Sequence, residues 1–416
     1  MFIPVINPAG EAAGKITSRI HFIADDIKKE TGTVQRVDAY GGKAGIALAY
    51  AWLGRQFPEK DYSDHAFELL NELIDLLAEI EWSPEMGCEL ASAGFAIQFL
   101  QNRGIIDSED DLGLEAVDEF LLSAIPVYAE QRNWDPILGL VPMGNYLLER
   151  YKKTGDANPL NSIADQLIGL SAMYEGHHVW ITPGHRYQPK DCLNFGMAHG
   201  MPGLIAFLSK LYAAGIKKNE LEPLVDSCIR FLLSRENKDD AGGQFPSYIF
   251  PGEEAEQSLG SRLGWCYGDL GMSFALLHWA DAANRPEWEK KGIDIAIKTT
   301  SRNLETAACT DGPLCHGASG LVHQYNRLYQ YTKEPALKEA AVTWMDITYE
   351  HFYKPGQGAG GYPFMFYDET DKTIKPKSSI SLLEGSSGVA LAFAALLSEE
   401  IPSWDSLFGI DLPAEQ

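Results

Sequence analysis

Two short stretches carry side chains that could act together on a thiol. Gly264-Trp265-Cys266-Tyr267-Gly268-Asp269-Leu270-Gly271 and Leu314-Cys315-His316-Gly317-Ala318-Ser319-Gly320 share the pattern Cys-x-Gly-x-x-Gly, and each runs directly into an apolar segment. They offer two thiols and an imidazole in matching positions. That donor set suits a catalytic zinc, which commonly takes three protein ligands and keeps a fourth position for a water or a substrate atom. Cys266, Cys315 and His316 are the expected ligands. Cys88, Cys192, Cys228 and Cys309 have no such company and read as small buried hydrophobes. Six cysteines at irregular spacings in 416 residues are no disulfide framework, so thiols are expected to be reduced. His177, His178 and His185 fall in a polar stretch with Pro and Gly and are expected at the surface.

The elements that must position these groups repeat. A Gly-x-x-Gly or a close relative opens an apolar segment seven times, with the last glycine, or its equivalent, at Gly45, Gly94, Gly144, Gly203, Gly271, Gly320 and Gly388. A period near 50 residues holds two helices and two loops. Segments after the glycines are short and apolar nearly all round, as in buried helices; those between them, such as residues 64–81, 220–235 and 335–351, are amphipathic. Inner helices therefore alternate with outer ones. Both terminal repeats keep an apolar inner helix rather than a polar cap, which favours closure into a ring over an open solenoid. The expected fold is all-α, an α/α toroid of seven inner and seven outer helices, with residues 1–416 as one domain.

Aligned on the first glycine of the motif, the residue immediately before it is His199 in the fourth repeat, Tyr267 in the fifth, His316 in the sixth and Glu384 in the seventh; Gly41, Leu90 and Leu140 stand there in the first three. Cys266 and Cys315 stand one place earlier. With parallel inner helices, all of these share one level at one mouth of the ring. The formal charge of −24 leaves no basic face for a nucleic acid. No apolar run is long enough to cross a membrane, and Met1-Phe2-Ile3-Pro4 lacks the basic region of a secretion signal, so a cytoplasmic protein is expected.

Three blocks, Met197-Ala198-His199-Gly200-Met201-Pro202-Gly203, Arg262-Leu263-Gly264-Trp265-Cys266-Tyr267-Gly268 and Cys315-His316-Gly317, resemble the signature blocks of the LanC lanthionine cyclases, over residues 40–397. The resemblance implies a toroid around one zinc held by Cys266, Cys315 and His316. It also implies catalytic roles for His199, Arg262, Tyr267 and Asp135, the last in Trp134-Asp135-Pro136-Ile137-Leu138-Gly139. The implied reaction is zinc-dependent addition of a peptide cysteine thiol to dehydroalanine or dehydrobutyrine, closing (methyl)lanthionine thioether rings in a lanthipeptide precursor of leader plus core. The implied partners are a dehydratase and an exporter, through which a cytoplasmic enzyme would be held peripherally at the membrane.

His199 is the expected acid for the enolate carbon, or the group that takes the thiol's proton. Asp135 could orient it or act as a base. Arg262 could stabilise the enolate or pair with Asp135, and Tyr267 could donate to the carbonyl oxygen. A related reading has the same zinc add glutathione to dehydrated residues of proteins, as LanC-like proteins do. A third has the ring as a zinc-stabilised peptide scaffold; a purely structural site, however, favours a fourth protein ligand. Glycosidase-type toroids need paired carboxylates, where these blocks hold thiols.

Overall fold

The computed structural model describes residues 2–106, 111–184, 189–237, 242–253, 260–368 and 370–413. Seven helices form an inner ring: α2 (Lys43–Gln56), α4 (Gly87–Asn102), α6 (Leu140–Thr154), α8 (Met201–Ala213), α10 (Asp269–Ala283), α12 (Ala318–Thr332) and α14 (Ser386–Leu397). Seven more lie outside it: α1 (Glu11–Ile27), α3 (Tyr62–Glu79), α5 (Leu114–Glu130), α7 (Asn158–Gly169), α9 (Lys218–Ser234), α11 (Pro286–Thr299) and α13 (Pro335–Asp346). The fold is the expected α/α toroid.

Burial explains which helix goes where. α14 reads SSGVALAFAALL and hides eleven of its twelve residues, as a helix surrounded by other helices must. α3 hides Leu69, Leu70, Leu73 and Leu77 on one stripe and turns its carboxylates outward. The ring closes because α14 packs on α1, α2 and α12, and the Ile6 amide donates to the Leu396 carbonyl at 3.1 Å.

The glycines do two different jobs. Gly42, Gly139, Gly200, Gly268, Gly317 and Gly385 each stand at the N-cap of an inner helix. At Gly200 a Cβ would lie 2.5 Å from the Asn194 carbonyl oxygen and 2.6 Å from the Gly196 nitrogen, so the chain doubles back on itself too tightly for any side chain. The second and third repeats depart from the expected pattern. Gly94 lies in the middle of α4, whose start is the 3₁₀ turn Pro84–Met86, and the cap of α6 is Gly139, five residues ahead of Gly144. Gly94 and Gly144 are small because the rings of Tyr146 and Phe207 on the next inner helix press against them, at 2.8 and 2.1 Å from where a Cβ would be. The same spacing thus arises from helix–helix packing, and the residue before the third cap is Leu138, not Leu140.

Three two-stranded antiparallel pairs decorate the loops: β1 (Ala172–Tyr174) with β2 (His177–Val179), β3 (Leu193–Asn194) with β4 (Tyr248–Ile249), and β5 (Phe364–Asp368) with β6 (Thr373–Lys377). His177 and His178 are half-buried rather than at the surface, because the His177 ring packs against Phe231 and the His178 amide donates to Ser227 Oγ. His185 lies outside the described residues. Residues 403–412, including the 3₁₀ turn Ser403–Phe408, run inside the ring: Trp404 and Asp405 are completely enclosed.

Candidate metal centre and catalytic site

A belt of backbone hydrogen bonds joins equivalent residues around one mouth of the toroid. Ala198 N–H donates to the Cys266 carbonyl (3.2 Å), Cys266 N–H to Cys315 (3.1 Å), Cys315 N–H to Leu383 (3.0 Å) and Leu383 N–H to Tyr40 (3.0 Å). Each of these five residues stands two places before a capping glycine. The residues one place later, His199, Tyr267, His316, Glu384 and Gly41, consequently share the rim although they are scattered through the sequence.

On this rim Cys266, Cys315 and His316 bring one potential ligand atom each to within 4.8 Å of one another. A four-coordinate zinc with bonds of about 2.0–2.3 Å separates its ligand atoms by roughly 3.3–3.8 Å, so the group could close on an ion by small movements. The donor chemistry fits as well. A hydrogen bond from Cys315, working against burial and assisted by His316, holds the Cys266 thiol well below its ordinary range, while Cys315 keeps the shared proton. Burial disfavours the charged form of His316, but its hydrogen bond to Cys266 and the nearby Asp311 carboxylate outweigh that and push its pKa up. A cation in place of those protons would satisfy both sulfurs. Cys88, Cys192, Cys228 and Cys309 are buried elsewhere, as expected.

The other expected residues also converge. Asp135 Oδ1 accepts the amides of Ile137 and Leu138, both at 2.8 Å, which fixes the carboxylate; its Oδ2 meets His199 Nδ1 at 2.9 Å. The partner of Asp135 is therefore His199 rather than Arg262. Burial opposes a charge on His199, yet Asp135 and then Cys266 overcome it and raise the imidazole's pKa. Asn194 Nδ2 donates to the Tyr267 hydroxyl at 3.0 Å, which leaves the phenolic proton free to be given elsewhere. Burial is the main reason the Tyr267 hydroxyl is pushed up to about 12, so it stays protonated. Arg262 is half-buried, and its charge acts on Cys266, Asp311 and His316.

Three further residues support the site. Asn194 orients Tyr267; buried Asp311 places Oδ2 at 3.6 Å from His316 Nε2 while accepting the Met365 amide at 3.0 Å; Trp265 is anchored below the rim. A signal for the first two was present. The position six residues before the capping glycine is polar in all six glycine-capped repeats: Arg36, Asn133, Asn194, Arg262, Asp311 and Ser379.

A closed helical toroid with a thiol-rich, metal-suited cluster and a paired histidine on one rim defines a class of protein. Residues 33–408 match the family of lanthionine synthetase C-like proteins, and the chain belongs to that family. Nisin biosynthesis protein NisC of Lactococcus lactis subsp. lactis is 25% identical over 205 residues, which cover 46% of this chain and 48% of that protein. The match thus spans about half the length of that relative. The solved structure of a nisin cyclase superposes with a TM-score of 0.68 over 95% of this chain and 97% of that one at 16% identity, a likeness of fold. Among the described residues no helix is long and apolar enough to cross a membrane.

Proposed function

We propose that this protein is a zinc-dependent lanthipeptide cyclase, with Cys266, Cys315 and His316 as the metal ligands and the open mouth of the ring as the entrance for a dehydrated precursor peptide. The observation that carries the reading is the set of two thiols and an imidazole within 4.8 Å, beside the His199–Asp135 pair, in a chain of the LanC-like family. The reaction adds a cysteine S–H across the double bond of dehydroalanine or dehydrobutyrine: sulfur bonds to the β-carbon, the proton ends on the α-carbon, and nothing leaves.

Zinc, when bound, supplies a Lewis acid that turns the peptide thiol, whose free pKa is about 8.5, into a thiolate at neutral pH. The chain's own side chains handle the rest. Attack leaves an enolate, which Tyr267 can meet with its phenolic proton and Arg262 with its charge. His199 delivers the proton to the α-carbon. Asp135, fixed by two backbone amides, holds Nδ1 and so leaves Nε2 as the working atom. A raised pKa keeps a useful fraction of His199 protonated near neutral pH.

The test is incubation of the purified protein with a dehydrated peptide that contains its own cysteine, in competition with glutathione. Cyclisation removes the free thiol, read by alkylation, without changing the peptide's mass. A peptide whose thiol remains free, or one that gains the mass of glutathione instead, overturns the reading.

A further inference from the structure

Residues 403–412 occupy the interior of the ring and grip it from several sides. Lys210 Nζ on α8 donates to the Ser406 carbonyl at 3.0 Å, His278 Nε2 on α10 lies 3.1 Å from the Gly409 carbonyl, and Arg327 Nε and His323 Nε2 on α12 both meet Asp405 Oδ2 at 2.9 Å. Asp405, His323 and Arg327 are at most 1% exposed. These contacts tie the segment to α8, α10 and α12. The segment is thereby held in one place inside the toroid.

It then reaches the rim at two points. The indole N–H of Trp265, the residue next to Cys266, donates to the Phe408 carbonyl at 2.9 Å, and the two rings meet edge to face at 5.2 Å. Phe408 also packs edge to face on Tyr40 at 6.0 Å, the belt residue whose carbonyl accepts the Leu383 amide, and on Trp404, which stacks on His323 at 4.5 Å. On its other side the Trp265 amide donates to the Cys315 carbonyl at 3.0 Å. One tryptophan is therefore held from below by the interior segment and from the side by the turn that carries the second thiol.

We propose that Trp265, anchored by Phe408, is a positioning residue for the metal centre, and that residues 403–412 are the support that sets the separation of Cys266 from Cys315. The proposal rests on the metal reading above. It follows from the hydrogen bonds: the Trp265 and Cys266 amides both donate to the Cys315 carbonyl, at 3.0 and 3.1 Å, so a backbone shift at Trp265 on loss of its Phe408 anchor is passed to the segment that carries the Cys266 sulfur. Groups that orient a ligand from behind in this way commonly change metal affinity by about 10–100-fold when removed.

Trp265→Phe keeps an aromatic ring but deletes the N–H donor together with part of the indole's volume, so a control with the same loss of volume is needed. The control is Trp180→Phe: Trp180 is also buried, its N–H donates to the Leu167 carbonyl at 2.8 Å, and it lies outside the rim. Both variants and the parent are loaded with cobalt(II) alone, the thiolate charge-transfer and ligand-field bands are recorded, and zinc affinity is measured by competition with a chelator. Trp265→Phe is expected to shift the cobalt bands and weaken zinc binding by about tenfold or more, while Trp180→Phe gives the parent spectrum. Phe408→Leu, which removes the edge contact and keeps the carbonyl, is expected to give a smaller shift in the same direction. Cobalt bands and zinc affinity in Trp265→Phe equal to the parent's overturn the positioning role and leave the metal site standing. A change of the same size in Trp180→Phe also overturns it, because general loosening then accounts for the effect. A parent that takes up neither metal overturns both readings.

Discussion

The amide of Cys266 donates to the carbonyl of Cys315 at 3.1 Å, beside that of Trp265 at 3.0 Å, so two thiols 49 residues apart in sequence are brought together by backbone hydrogen bonds. Neither side chain needs the other for its place. The backbone belt brings the two residues together independently of any contact between their sulfurs.

Replacing Cys266 or Cys315 by Ala is therefore expected to abolish tight zinc binding without unfolding the ring. Metal analysis of the purified parent should find about one zinc per chain, and of either variant close to none. Circular dichroism should stay helical in both. Cys315→His keeps a ligand but lowers the electron density on the remaining sulfur, and ring closure slower than the parent's is the expected result.

His199→Asn should retain zinc and lose activity, because His199 lies beside the ligand set rather than in it. General acid catalysis is worth about 10²–10⁴-fold, and kcat should fall within that range with metal content unchanged. Asp135→Asn keeps a hydrogen-bonding partner for His199 but removes the carboxylate charge that raises its pKa. The alkaline side of the pH–rate profile, where the imidazolium loses its proton, should accordingly move to lower pH, and an unmoved profile would argue against the pairing.

Gly320→Ala is expected to be among the most damaging small substitutions. A Cβ there would sit 2.0 Å from the Leu314 carbonyl oxygen, directly before Cys315. Backbone has to move to make room, which costs about 1–3 kcal/mol or more in a packed core. Chemical denaturation should show the loss of stability, and zinc affinity should fall with it because the displaced turn carries two of the expected ligands.

His278 gives the fold an acid-side weakness. Burial, with Lys210 and Arg327 adding to it against the pull of Asp411 and the Gly409 carbonyl, holds its pKa at about 4 instead of 6.5. A depressed folded-state value means that the unfolded chain binds the proton first. Stability is thus fully present above about pH 6.5 and is lost as the pH falls towards 4, by roughly 3 kcal/mol in all. Urea unfolding at pH 7 and pH 4.5 should show that decline in the parent and a smaller one in His278→Gln, whose amide can still donate to Gly409.

The sequence by itself determined the architecture and the chemistry that it could hold. Glycine at a helix start and an all-apolar helix after it are local consequences of a crowded ring, so repeating them announces a toroid; two Cys-x-Gly-x-x-Gly motifs, one with a histidine between, announce the metal-suited cluster. The second and third repeats depart from the pattern because Gly94 and Gly144 are small to let Tyr146 and Phe207 of the next helix approach, a reason that only a neighbour in space supplies. Tertiary structure alone decided who pairs with whom. Asp135 met His199 and not Arg262, Asn194 took Tyr267, and Phe408 took Trp265, because each of these contacts joins different repeats and depends on how the ring closes. Local sequence fixes a residue's height on its own helix; the angle and distance to the next helix come from the packing of all fourteen.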